Sequence, residues 1–385
     1  MKPKLSMFVH DLAGNPLVRA VPIALALQDE YEIEILGLLL SGDQVYEPYR
    51  GLFEYKTVRT SLDIPIVFSA IRRLARMCDG DIIYAFKPLL TSYGPALLAS
   101  RFGRSKPLFL DSEDDEWIPF GRTPLSFLVK DLLKGWRHPT AWKYTRMLHP
   151  FTRCARGVTV ISSKLQKRYG GKILYNGCDE SRFDPALARL RDVSVRRRQF
   201  DLPVEKKLLL FAGIPQPHKG WPTLMLALKS DAAKAWDLVL AGPLDHPSFA
   251  MAKQELGNRC HLLGPVAQEM IPDLLAAVDA VPVPQDRVLF SECQVPTKLL
   301  EAMGMAKAVI ASRVGDLPMV LGENRRGWLV EPGNAKALSL ALQEIAARPS
   351  EAVRRGQEAR EWFLANASLK AMRKTLKPLM SGCFT

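Results

Sequence analysis

Short apolar runs alternate with helix-length segments along almost the whole chain. This alternation limits the fold more than any other feature of the sequence. Apolar runs fall at 5–11, 33–40, 81–86, 107–111, 157–163 and 172–177. The pattern then restarts with runs at 207–214, 237–243, 261–266, 279–284, 308–312 and 327–332. Strands that alternate with helices predict parallel sheets covered on both faces. The pattern starts twice, which predicts an α/β protein of two doubly wound, Rossmann-like domains facing a cleft at the carboxyl ends of their strands. The expected boundaries are 1–195 and 196–365, followed by a C-terminal helix over 366–385. The charged stretch 184–207 is expected to be the hinge, because it lacks apolar periodicity.

Composition narrows the setting. A chain of 385 residues with 48% hydrophobic and 24% charged residues is expected to be globular, with two cores. The net charge of +13 favours anionic partners such as nucleotide phosphates, nucleic acid or acidic lipid. The six cysteines show neither CxxC pairs nor metal-ligand spacing, which predicts free thiols in a reducing compartment. The apolar run before His10 and Asp11 is too short for a signal peptide, and no run approaches the ~20 apolar residues that span a bilayer. The expected location is the cytoplasm, peripheral to the inner face of a membrane.

The stretch from Phe290 to Pro318 reads as loop, helix, strand and loop. Pro296 suits a helix start. Leu299, Leu300 and Met303 share one helical face. Lys298 and Glu301, three residues apart, lie on the first turn, where free N–H groups and the dipole favour an anion. A cation for phosphate and a carboxylate for sugar hydroxyls suit a nucleotide sugar. An ordinary amphipathic helix with solvated charges is the alternative.

This stretch resembles the donor-site signature of the family-4 retaining glycosyltransferases of GT-B fold. There a Glu, seven residues and Glu-Ala-Met-Ala-x-Gly-x-Pro-Val are usual. Here Glu301 opens EAMGMAKAVIAS, Cys293 stands at the first Glu position beside Glu292, and Ala306 and Ala308 replace Gly and Pro. The variant Pro-x-Lys-x-x-Glu fits through Pro296, Thr297, Lys298 and Glu301. The segment 211–228 resembles the family's Gly…Lys-Gly segment through Gly213, Lys219 and Gly220, with His218 adjoining. The strand-end glycines Gly242 and Gly264, with Val266, resemble the nucleotide-lining loops. The segment 327–338 matches Gly-x-Leu-Val-x-Pro-Gly-Asn, and 158–185 resembles the end of the family's first domain through Asn176 to Asp179, Phe183 and Pro185.

The resemblance implies a transferase that moves a sugar from a nucleotide diphosphate to a hydroxyl acceptor, lipid-linked or on a polysaccharide precursor, with retention. It implies no metal or other cofactor and no protein nucleophile. Lys219 and Lys298 are expected to stabilise the leaving phosphate, Glu301 to hold the ribose, and Glu292 and His10 to lie at the reacting centre. Gly14, after the first strand, is expected to approach the diphosphate. A nucleotide-sugar epimerase, a phosphorylase and a non-catalytic anion-binding protein remain alternatives. Neither GxGxxG nor Walker A is present.

Two further segments stand out. The acidic run 110–117 contains Asp111, Glu113, Asp114, Asp115 and Glu116. Metal ligation, acceptor binding and a solvated run are all open to it. With Asp11 at the end of the first strand, Glu113 and Asp114 are the expected acceptor ligands. The segment 121–175 is strongly basic, with Asp131 its only acid, and interleaves Phe127, Trp136, Trp142 and Phe151. It is expected to dock on an anionic membrane rather than on nucleic acid, with a solvated helix pair as the alternative.

Overall fold

A computed structural model of the chain describes residues 2–103, 105–114, 142–189 and 192–381. The chain forms two compact units, Met1–Tyr175 with Met372–Thr385, and Asn176–Ala371.

In the first unit the strands are β1 (Lys4–Asp11), β2 (Glu32–Leu39), β3 (Glu54–Arg59), β4 (Ile82–Phe86), β5 (Leu108–Ser112), β6 (Gly157–Val160) and β7 (Lys172–Ile173). They pair in the order β3-β2-β1-β4-β5-β6-β7, parallel throughout. Leu5 lies opposite Ile33 on one side and Ile82 on the other. The central strands are apolar on both faces because helices cover both. The helix Ile66–Arg76, for example, buries Val67, Ala70, Ile71, Leu74 and Ala75. The apolar pattern misses β3. Its sequence EYKTVR is charged because it is an edge strand, and Lys56 reaches the buried Glu34 of β2 at 2.7 Å. The last helix, Leu369–Met380, gives its final turns to this unit. There Arg373 donates to the Ala26 carbonyl at 2.8 Å, and Lys377 pairs with Glu30 at 3.3 Å.

The second unit repeats the design. Its strands are β8 (Lys207–Ala212), β9 (Trp236–Ala241), β10 (Cys260–Gly264), β11 (Ala280–Val283), β12 (Ala308–Ser312) and β13 (Trp328–Val330), in the order β10-β9-β8-β11-β12-β13. Strand order therefore reverses beside the first strand in each unit, between β1 and β4 and between β8 and β11. The core of the second unit packs Phe211, Trp236, Phe249 and Ile310 against the helix Ala335–Ala347, where Trp236 Nε1 donates to the Leu342 carbonyl at 2.9 Å.

The charged stretch expected as a hinge is folded into this second unit. Arg196 and Arg197 on the helix Val193–Gln199 are 4% and 5% exposed. Arg197 donates to the carbonyls of Ala277 and Lys206 at 2.9 Å and to Asp279 at 2.9 Å, and Arg196 pairs with Asp273 at 2.9 Å. The partners are up to 82 residues away in sequence, so local pattern reads these arginines as solvated.

Candidate functional site

Ligands of open parallel sheets bind beyond the carboxyl ends of the strands, where strand order reverses. In the second unit that place is built from the loop after β8 and the loop after β11. Gly220 locks the two together. It has φ +69°, and a Cβ on it would lie 1.6 Å from the Pro284 carbonyl oxygen, so only glycine permits this backbone contact. The Asp286 N–H donates to the His218 carbonyl at 3.0 Å, a second tie between the loops. Gly213, at φ +104°, has nothing within 4 Å of where its Cβ would be, so its backbone borders open space. Its N–H donates to the Ala241 carbonyl at 2.8 Å, and the Gly242 N–H to the Gly264 carbonyl at 2.9 Å, so the three strand-end glycines stand in a row.

These loops gather cations. Lys219 donates to the Ile214 carbonyl at 3.0 Å, and burial lowers its ammonium from the ordinary lysine value. The Lys298 Nζ lies over the Phe211 ring, 4.2 Å from its centroid. Burial, with the charge of Lys219 added, pushes Lys298 down to about 7. His218 packs edge-on against Phe290 at 5.2 Å between centroids. Burial and then Lys219 lower it, opposed by Asp286, and Lys298 lowers it further. Neither Lys219 nor Lys298 makes an ion pair among the described residues. Like charges brought together without a counter-ion form a receptor for a multivalent anion.

Pro296, with φ −63° and ψ 133°, precedes the first helical residue rather than lying in the first turn. The helix Thr297–Gly304 opens over this site, and Asn176 Nδ2 donates to Thr297 Oγ1 at 3.1 Å. Glu301 lies one turn on. Burial raises its carboxyl to about 7, moderated by Gln268, whose Nε2 donates at 3.4 Å, and by Arg182. Glu292 ends the short helix Leu289–Glu292, and its carbonyl oxygen would lie 2.7 Å from a Cβ on Gly315. Cys293 is fully buried. Val266 lines a groove of about 650 Å³ with Gln199, His261 and Met270, and none of His218, Lys219 and Lys298 borders it.

The carboxyl end of the first sheet is arranged differently. Asp11 accepts from the N–H groups of Ala13 and Leu40 at 3.0 Å and of Ser41 at 3.2 Å, so its carboxylate ties down two loops. His10 Nδ1 bonds to Thr91 Oγ1. A Cβ on Gly14 would lie 3.1 Å from Ser41 Oγ. Asp111 is fully buried and takes both arms of Arg19, at 2.9 and 2.7 Å, plus the Thr159 hydroxyl at 2.5 Å. Lys87, at φ 65°, directly follows β4 and reaches Asp114 at 2.5 Å and Glu113 at 3.5 Å. Burial and then Asp114 raise the Glu113 carboxyl to about 7, against the pull of Lys87. Sequence pattern did not single out Arg19 or Lys87. A lysine in left-handed backbone has no local signature, and Arg19 sits on an otherwise apolar helix. Asp115, Glu116 and residues 121–141 of the basic segment lie outside the described residues. Of the remainder, Arg146, Met147, Phe151, Arg153 and Arg156 are exposed, whereas Tyr144 is buried.

The cation-lined strand ends and the helix carrying Lys298 and Glu301 fall within residues 192–362, which match the profile of the family described as Glycosyl transferases group 1. The D-inositol 3-phosphate glycosyltransferase of Corynebacterium glutamicum (strain R) is 27% identical over 213 residues, 51% of this chain and 49% of that protein. The chain thus spans about half the length of the curated relatives it matches. Among solved structures, a glycosyltransferase from Rickettsia africae ESF-5 aligns at TM-score 0.74 and 17% identity, covering 100% of this chain and 99% of that one. The Anabaena HepE protein in complex with UDP and glucose aligns at TM-score 0.70 and 18% identity, covering 99% and 100%. These likenesses show the fold, which is GT-B with two Rossmann-like units. Within the group 1 region lie Gly213, His218, Lys219, Gly220, Gly242, Gly264, Val266, Glu292, Pro296, Thr297, Lys298 and Glu301. His10, Asp11, Gly14, Glu113 and Asp114 lie outside it.

Proposed function

We propose that the chain is a glycosyltransferase that moves a sugar from a nucleotide diphosphate sugar to a hydroxyl acceptor with retention at the anomeric carbon. The observation that carries this reading is the pair Lys219 and Lys298, without an ion-pair partner among the described residues and with His218 beside Lys219, at the switch point of the second sheet. The diphosphate neutralises the cluster, and Glu301 accepts from the ribose hydroxyls. As the bond from the anomeric carbon to the β-phosphate oxygen breaks, negative charge grows on the phosphate facing Lys219 and Lys298. The acceptor oxygen bonds to the same face of the sugar, and its proton passes to the departing phosphate. No metal and no side-chain nucleophile enter the step. Glu292 reaches toward the donor sugar.

Acceptor binding is assigned to Glu113 and Asp114 of the first unit, and His10 is assigned to the reacting centre. Asp11 is left to its loops. The exposed Met147 and Phe151 among Arg146, Arg153 and Arg156 support docking on an anionic membrane at the cytoplasmic face, and so a lipid-linked acceptor. No helix among the described residues is long and apolar enough to cross a membrane.

The test starts with thermal stabilisation by UDP-, GDP- and ADP-sugars, since a ligand that binds only the folded state raises the melting temperature. UDP-glucose comes first because HepE was solved with UDP and glucose. D-inositol 3-phosphate joins the acceptor panel because it is named for the relatives. Acceptor-dependent release of the nucleoside diphosphate in EDTA, with the donor's anomeric configuration kept in the product, is the expected result. An inverted product, a strict metal requirement, or turnover without acceptor would each overturn its part of the reading.

A further inference from the structure

Gln285 stands just beyond the end of β11, at the point where strand order reverses. It is 3% exposed, and its Oε1 has no hydrogen-bond partner in the structure. Among the described residues of this unit, Trp328 Nε1, a donor, is the other buried side-chain atom without a partner. Arg197 takes carbonyls and a carboxylate, and Asn176 takes Thr297 Oγ1. A dry, unpaired amide oxygen is unfavourable in the folded protein and gains nothing for the core.

The position is held rather than incidental. On one side of Gln285 the Pro284 carbonyl abuts Gly220, and on the other the Asp286 N–H donates to the His218 carbonyl at 3.0 Å. Gln285 is therefore fixed to the loop that carries His218 and Lys219.

The chemistry of the orphan atom selects its partner. An amide oxygen only accepts, and phosphate oxygens have no proton to give at neutral pH. Donors on a nucleotide sugar are its hydroxyls and the base N–H groups. In the reading above the ribose hydroxyls go to Glu301, and the cations beside Gln285 take the diphosphate. The sugar being transferred adjoins that diphosphate and carries hydroxyls. Cys293 in the neighbouring loop presents only a buried thiol, a weak acceptor. We propose that Gln285 is a specificity-determining residue that accepts a hydrogen bond from a hydroxyl of the donor's transferred sugar. The inference rests on the nucleotide-sugar reading of the site.

The test is calorimetry on the full chain and on Gln285→Leu. The ligands are UDP, GDP and ADP, their glucose or mannose conjugates, and monodeoxy-sugar analogues of whichever conjugate binds. Gln285→Leu is expected to bind the nucleoside diphosphate as the native chain does and the sugar conjugate about 10- to 100-fold more weakly. One monodeoxy analogue should weaken binding to the native chain but not to the variant. The variant should also melt no lower than the native protein, because an orphaned acceptor has been removed. Equal weakening of diphosphate and conjugate would place the contact at the phosphate and overturn the proposal. Unchanged conjugate binding, or a much lower melting temperature, would overturn it too. If no nucleoside diphosphate binds the native chain, the transferase reading itself fails, a result distinct from those.

Discussion

The two sheets share one strand order and reverse it at equivalent places, yet their carboxyl ends are chemically opposite. At the carboxyl end of the first sheet, Arg19 and Lys87 each have a carboxylate partner. Arg19 is bidentate to buried Asp111, Lys87 spans Glu113 and Asp114, and Asp11 is consumed by three backbone N–H groups. In the second unit burial lowers Lys219 and Lys298, the charge of Lys219 lowers Lys298 and His218 further, and neither lysine meets an ion-pair partner among the described residues. Topology sets where a ligand can bind, and the charges left uncompensated set which ligand it is. A compensated end favours rigidity and recognition by hydrogen bonds. An uncompensated end favours a multivalent anion.

The largest effect should come from breaking compensation in the first unit. Arg19→Leu leaves Asp111 buried with the Thr159 hydroxyl as its remaining described donor, and should lower stability by about 3–5 kcal/mol in denaturant titration. Binding of a nucleoside diphosphate per folded molecule should not change. A matching loss of affinity would show that the two ends are not chemically separate.

Next comes the uncompensated end. Lys219→Ala should reduce kcat by roughly 10²–10³ with a smaller change in stability, by analogy with removing one donor to a developing oxyanion. Near-native turnover would move the diphosphate elsewhere. Glu301→Ala tests the other half of the site. It should weaken donor binding about 10-fold, seen as a higher KM at similar kcat, because the charge on ribose hydroxyls does not change in the reaction.

The smallest effect concerns the scaffold. Ala306 holds φ 53°, where a β-carbon is strained. Ala306→Gly should stabilise the unliganded protein by about 1 kcal/mol, measured by denaturant midpoint, and leave kinetics alone.

Much of this could be read in the sequence, and what could not shares one cause. Parallel strands bury both faces, so apolar runs marked most of them, and β12 matches its run residue for residue. The glycine–lysine loop and the Lys298–Glu301 helix were legible as structure, because a close backbone contact demands glycine and an amphipathic helix demands regular spacing. Edge strand β3, the buried pair Arg196–Arg197, Lys87 and Gln285 were not legible. Each is polar by composition, and its place depends on partners or vacancies created by distant chain, such as the contact of Gly220 with Pro284 across 64 residues. Local pattern assigns such residues to solvent.

The central claim is that the second sheet's carboxyl end awaits a polyvalent anion. Lys298 titrates near 7, below the ordinary lysine value, because it is buried beside Lys219. At about pH 8 it is largely neutral in the free protein, and a bound diphosphate favours its charged form, so binding must take up a proton. Calorimetry of UDP, GDP or ADP binding at about pH 8, in two buffers of different ionisation heat, measures that uptake. The expected result is an uptake approaching one proton, affinity that rises as pH falls from about 9 to 7 and then levels off, and loss of both in Lys298→Gln. Binding without proton exchange and with the same affinity across that range would contradict the account.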